Sequence, residues 1–175
     1  VYGGRRDPSP LFEALTLLQD AERHYRIILH TDQHEQIANA ARLYGVENVV
    51  DLRPAVSREV FLKSEVAADV LLFLRGGNKN EDSVIPGKLY EYIGAKRPIL
   101  ALGSLSGEAV EIIRQENLGL VSNRPEEIAA QLSCWREQKL AAGGYLPAND
   151  VWDRERYSRE RQFDVILRAL LDDEA

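Results

Sequence analysis

The chain has little cysteine, no long hydrophobic run and no excess of basic charge, and each shortage removes a class of function. A single cysteine, Cys134, among 175 residues excludes an internal disulfide and any cysteine-rich zinc site, and it suits a reducing compartment. No apolar run approaches the roughly 18 residues of a membrane-spanning helix. The N-terminus has no basic segment leading into an apolar signal core, so secretion has no support and a cytoplasmic location is expected. Twenty-two basic side chains stand against 28 acidic ones, a net charge of −6, which is the wrong sign for a surface that attracts nucleic acid as a whole. No nucleic-acid partner is expected, and any anionic ligand must be held locally. Internal repeats and low-complexity tracts are absent, as is an initiator methionine. Val1-Tyr2-Gly3-Gly4 reads as the end of a β-strand running into a glycine turn, so a cut piece of a longer protein is expected.

What is present is an ordinary globular composition, 45% hydrophobic and 29% charged, over a length that predicts one domain spanning 1–175. Apolar spacing predicts alternating helices and strands. Ser9-Pro10 opens a helix with Leu11, Ala14, Leu15 and Leu18 on one face. Ile27-Ile28-Leu29 reads as a strand buried on both faces. Asp32 and Glu35 have capping-box spacing before a helix that Gly45 stops. Val49 to Leu52 predicts a strand, Ser57 a helix cap, and Asp69 to Leu74 the clearest strand in the chain. After a polar loop from Arg75 to Pro86 come a helix from Gly87 to Ala95, a strand from Pro98 to Leu102, a helix capped by Ser106, and a short strand at Gly119 to Val121. Asn123 and Glu126 repeat the capping-box spacing before a further helix, and a last amphipathic helix is expected from about Arg154 to Leu171. This alternation predicts an α/β domain with a doubly wound parallel sheet, right-handed crossovers and helices on both faces.

In such sheets ligands bind beyond the carboxyl ends of the strands, where loops run into helix N-termini. Three of these loops carry unusual residues. Gly3-Gly4-Arg5-Arg6 joins glycines, which let a ligand approach the backbone, to two guanidinium groups that can fork onto phosphate oxygens. Asp82-Ser83-Val84-Ile85-Pro86-Gly87-Lys88 offers free N–H groups at a helix start, a glycine that leaves them open, and a lysine one residue later, together an anion site. Glu91 lies one turn along the same face, where a carboxylate can accept from ribose hydroxyls. The bland reading of Lys88 and Glu91 is an exposed i,i+3 pair worth a few tenths of a kcal/mol, roughly, which does not account for the glycine and the long loop. The third loop, Arg53 to Ser57, follows a strand end, and His30 sits at another, facing the same cleft.

The segment Ile85-Pro86-Gly87-Lys88-Leu89-Tyr90-Glu91-Tyr92-Ile93-Gly94-Ala95-Lys96-Arg97-Pro98-Ile99-Leu100 resembles the nucleotide-sugar segment of the group 1, or family 4, glycosyltransferases with the GT-B fold. The resemblance extends to Gly3-Gly4-Arg5-Arg6, Asp69-Val70-Leu71-Leu72 and Gly119-Leu120-Val121 with Pro125-Glu126-Glu127-Ile128, and so covers nearly the whole chain. It implies a Rossmann-like domain that is the C-terminal, donor-binding half of a GT-B protein, with 150–175 a terminal helix that crosses to a missing N-terminal domain. By the same resemblance Glu91 matches the second glutamate of the E-x7-E motif, which binds the donor ribose. Eight positions earlier Ser83, itself counted among the donor-binding residues, stands in place of the first glutamate, so either Glu81 or Asp82 supplies the sugar contact from the loop or the donor sugar is held differently. Gly87 and Lys88 match the positions facing the phosphates, Arg6 or Arg5 the diphosphate cation, and Pro54 to Val56 the base contact. The activity that the resemblance implies is retaining transfer of a sugar from a UDP-, GDP- or ADP-sugar in cell-surface polysaccharide synthesis, with no cofactor and no metal. The acceptor belongs to the missing domain, through which peripheral membrane association is expected, and this half alone binds nucleotide without turnover.

Other signals are weaker. His30 and His34 with Asp32 and Glu35 lack the one-face geometry of a helical metal-ligand pair. Gly103-Ser104-Leu105-Ser106-Gly107 has leucine where a nucleophile elbow needs serine. Cys134, beside Trp135, reads as a buried structural cysteine. An epimerase related to the GT-B enzymes would want acidic and histidine catalytic groups that the chain does not offer as a set. A receiver-like binding module would need acids where Arg5 and Arg6 stand.

Overall fold

The computed structural model describes residues 6–76, 82, 84–146, 157–158 and 161. The expected terminal helix from Arg154 to Leu171 therefore falls almost wholly outside the described residues, as do Gly3, Gly4, Arg5, Glu81 and Ser83. The described elements run α1 (Ser9–Thr16), α2 (Ala21–His24), β1 (Ile27–His30), α3 (His34–Leu43), β2 (Val50–Arg53), α4 (Arg58–Ala67), β3 (Leu71–Leu74), α5 (Gly87–Ala95), β4 (Ile99–Leu102), α6 (Glu108–Gln115), β5 (Gly119–Val121) and α7 (Pro125–Ala141). All strand pairs are parallel, and helices lie between consecutive strands, which gives a Rossmann-like α/β fold. The pairing forms two ladders. β1 lies beside β2 with Ile27 opposite Val50, and β3-β4-β5 form a second ladder with Leu71 opposite Ile99 and Ile99 opposite Gly119.

Successive side chains of a strand point to opposite faces, and the three-stranded ladder shows what that does to the core. Leu72, Leu74, Leu100, Leu102 and Leu120 face one layer, packing with α1 (Leu11, Phe12, Leu15) and α7 (Ile128, Leu132, Trp135). Leu71, Phe73, Ile99, Ala101 and Val121 face the other, against α5 (Leu89, Tyr92, Ile93) and α6 (Ala109, Ile113). Both faces are thus buried, which is why these strands read as unbroken apolar runs. Each fully buried leucine or isoleucine contributes on the order of 1.5–3 kcal/mol. Arg97, just after α5, ties separate parts together. Its Nε and Nη2 donate to the carbonyl of Val66 at the end of α4, and its Nη1 donates to the carbonyl of Leu146 at 2.8 Å.

Several local expectations need correction. Ile28 is 45% exposed, so β1 is not covered on both faces. The strand expected from Asp69 begins at Leu71. Three expected side-chain caps are not made. α3 starts after Gln33, whose N–H uses the Thr31 hydroxyl, and Asp32 makes no cap. The Asn123 side chain is spent on a reciprocal pair with Gly103, accepting from its N–H and donating to its carbonyl, both at 2.8 Å. Ser106 donates to Asp82 instead of capping α6. Asn123 and Ser106 thus spend on other partners the polar groups that capping would need. Ser57 does cap α4, accepting from the Val60 N–H. Cys134 is exposed, not buried. Neighbouring helical residues point about 100° apart, and Trp135 takes the core direction. Among the described residues no helix is long and apolar enough to cross a membrane.

Candidate functional site

The carboxyl ends of β1, β2 and β3 open onto the N-terminus of α5, and side chains from four separate stretches of chain meet there. Arg6 arrives just ahead of α1, His30 ends β1, Phe61 and Glu65 come from α4, and Lys88 sits in the first turn of α5. All five line a cavity of about 1060 Å³ that continues down between β1 and β3. Gly87 opens α5, and a Cβ placed there would meet nothing within 4 Å. Its lack of a side chain is therefore not a packing requirement. It leaves open space beside the first residue of a nine-residue helix, in whose first turn the Leu89 N–H donates to the Pro86 carbonyl.

Electrostatics around Lys88 are unusual. Although the residue as a whole is exposed, its Nζ lies 5.1 Å from the ring centres of both Phe61 and Tyr92, a double cation-π contact. This partial removal from water pushes its pKa below the usual lysine range, with the field of Glu65 opposing. Glu65 is 3% exposed, and neither carboxylate oxygen has a hydrogen-bond partner among the described residues. Burial, reinforced by the charge of Glu91, lifts its pKa to about 7, while Lys88 and Arg58 hold it back. Burial also raises the Tyr92 phenol, which donates to the carbonyl of Leu72 at 3.0 Å. His30 donates from Nδ1 to the Pro54 carbonyl at 2.9 Å, since a carbonyl can only accept. Its Nε2 is buried and without a partner among the described residues.

The residues singled out in the sequence fare differently. Arg6, His30 and Lys88 share the cavity wall. Glu91 stands close enough to act on both Lys88 and Glu65, yet its Oε1 accepts from Arg58 Nη2 at 2.7 Å, so a ribose would have to share it. Pro54 joins the group through its carbonyl bond to His30. Asp82 is committed elsewhere. Its carboxylate accepts from Ser104, Ser106 and Arg75, and its carbonyl accepts from the Glu108 N–H, so Asp82 is bound to the start of α6. Glu65, Phe61 and Arg58 were missed. The signal was present, because positions 58, 61 and 65 follow the i, i+3, i+7 spacing of one helix face, with an aromatic between opposite charges. Among the described residues no three His, Cys, Asp or Glu side chains are grouped to hold a metal ion. No protein-family model matches the chain, and no curated protein matches it at a significant level.

Proposed function

We propose that this domain binds a nucleoside-diphosphate sugar at the carboxyl ends of its strands and serves as the donor-binding half of a retaining glycosyltransferase. The observation that carries the reading is the start of α5. Open space beside Gly87 at the helix start, with the Lys88 ammonium one residue on and Arg6 in the wall of the same cavity, gives a mouth with two cations next to a helix N-terminus. Such a pocket suits a diphosphate. Glu91, one turn along α5, supplies the acceptor for ribose hydroxyls, shared with Arg58. In the transfer, charge develops on the diphosphate as the glycosidic bond to it breaks. Arg6, Lys88 and the α5 N-terminus would stabilise that charge, an electrostatic role of the oxyanion-hole type. The acceptor would be held by a second domain, and the lone cysteine suits a cytoplasmic setting.

Titration calorimetry with UDP, GDP, ADP and inorganic phosphate tests the reading. The expected result is binding of at least one nucleoside diphosphate that weakens about tenfold or more in Lys88→Ala and in Glu91→Ala, a loss of about 1.4 kcal/mol each. Arg6→Ala should weaken the diphosphate far more than the nucleoside. Binding unchanged by Lys88→Ala and Glu91→Ala would place the ligand elsewhere, and no binding of any nucleotide would end the proposal.

A further inference from the structure

Most residues lining the cavity below this mouth are apolar or aromatic, Leu72, Leu100 and Trp135 among them, yet its wall holds a group that such surroundings penalise. Glu65 is 3% exposed, and neither of its carboxylate oxygens has a hydrogen-bond partner among the described residues. A buried carboxylate without partners is unfavourable, and one kept at a cavity wall is poised for a ligand that brings the missing donors. His30 adds a third unpartnered atom. Its Nδ1 donates to the Pro54 carbonyl, so in the neutral ring the buried Nε2 keeps its lone pair and can only accept. Phe61 ties these groups to the mouth. It precedes Glu65 by one turn on the same face of α4, and its ring centre lies 5.8 Å from that of His30 and 5.1 Å from Lys88 Nζ. Glu65 and Lys88 are near enough for each to act on the other's charge. Arg75, a buried cation in the same wall, already donates to Asp82.

We infer, on the nucleotide reading above, that this pocket holds the base and selects guanine, with the two oxygens of Glu65 accepting from its N1–H and its exocyclic amino group. The chemistry of the bases decides it. An ionised carboxylate accepts and cannot donate, so it needs an edge with two adjacent donors. Guanine has one. Uracil flanks its single ring N–H with carbonyls, and adenine sets its amino group beside a ring acceptor, so either would turn a lone pair toward Glu65. Nε2 of His30 penalises an acceptor edge in the same way. The walls suit a base more than a sugar. A planar ring buries its faces against hydrocarbon and aromatic side chains, whereas a hexose carries hydroxyls on all sides, and those turned toward Leu72, Leu100 or Trp135 would lose water with nothing to replace it. Glu91, the acceptor for ribose hydroxyls in the same reading, is also close enough to act on the charge of Glu65, so a base joined to that ribose starts beside the pocket.

Titration calorimetry near pH 8, above the Glu65 pKa of about 7, compares GDP with inosine diphosphate, which differs only in lacking the exocyclic amino group, and with ADP and UDP. GDP should bind about tenfold or more tighter than each of the others, and Glu65→Gln should bring GDP down to their level while moving ADP and UDP by less than about twofold. Wild type that binds GDP no better than inosine diphosphate overturns the inference, and so does a guanine preference that survives Glu65→Gln. The comparison of GDP with inosine diphosphate uses the wild-type chain, so it decides the matter even if the substitution impairs folding. A UDP-glucose titration weakened by Glu65→Gln while GDP is unmoved would put sugar hydroxyls at the carboxylate, which also overturns the inference. Guanosine against inosine, neither carrying phosphate, separates this pocket from the diphosphate mouth. Nucleotides that all bind alike and all weaken in Lys88→Ala keep the proposed function and sink guanine selection. Guanosine favoured over inosine, with nothing gained from the diphosphate, keeps the base pocket and sinks the diphosphate mouth, and absence of all binding ends both.

Discussion

Replacing Glu65 with glutamine is expected to stabilise the protein by about 1.5 kcal/mol near pH 8 and by only a few tenths, roughly, near pH 4.5. The carboxyl is 3% exposed and has no hydrogen-bond partner among the described residues, and its pKa rises from 4.5 to about 7. At about 1.36 kcal/mol per pKa unit, that difference corresponds to roughly 3 kcal/mol. Glu65 lines the cavity, and solvent admitted there would raise the effective dielectric around the charge, so about half of that figure is the expectation. The sign depends on which state holds the proton. Below about pH 4.5 both folded and unfolded chains keep it, and the residue costs nothing through its charge. As pH rises toward 7 the unfolded chain releases it first, stability falls, and above about 7 the folded protein carries the full penalty. Urea denaturation of wild type and Glu65→Gln across this range isolates the effect, because the other titrating groups cancel in the difference. A gap that stays flat with pH would show that Glu65 does not titrate as described. A variant less stable than wild type near pH 8 would show that Lys88 holds the carboxylate ionised, which refutes the reasoning outright.

Three further outcomes are expected. Burial lowers the Lys88 pKa, so the midpoint of its labelling by an amine-specific reagent against pH should fall below the ordinary lysine value; a midpoint at or above that value contradicts the geometry. Gly103→Ala should cost about 2–4 kcal/mol in a denaturation series, since Gly103 has φ of +96° and a Cβ would run into the Arg75 carbonyl, whereas Gly87→Ala, with open space around it, should change stability by less than about 1 kcal/mol while weakening diphosphate binding. Arg58→Ala breaks a pair whose arginine side chain is 74% exposed, so stability should move by less than about 0.5 kcal/mol; a larger loss in thermal melts would mean the pair organises the contact between α4 and α5.

Most of the strand and helix alternation was legible because β3 and β4 are apolar on both faces and the helices carry one-sided stripes. The details that misled share a cause. Asn123, Ser106 and Asp32 have the spacing of caps, but spacing reports only local opportunity, and Gly103 and Asp82 compete for two of these side chains from some 20 residues away. Ile27-Ile28-Leu29 reads as doubly covered because the sequence cannot tell a covered face from one that borders an open slot. At the site, Arg6, His30 and Lys88 were legible from their places at strand ends and a helix start. Glu65 was not, since its burial depends on α4 lying against α5, a contact between elements more than 20 positions apart that no local pattern encodes. Asp82 had the right charge and place for a ligand, and only its bonds to Ser104 and Ser106 show that it is already occupied.

The guanidinium of Arg97 spans the carbonyl of Val66, one residue before the last of α4, and that of Leu146, five residues past the end of α7. Because the group is planar and rigid, the helix bearing Arg58, Phe61 and Glu65 shares an anchor point with the chain leaving the opposite layer. A lysine there offers a single tetrahedral head and cannot bridge both oxygens in the same plane. Loosening that bracket would let the acidic wall of the cleft drift without touching any residue inside it, so the pocket's dimensions are set partly from its far side.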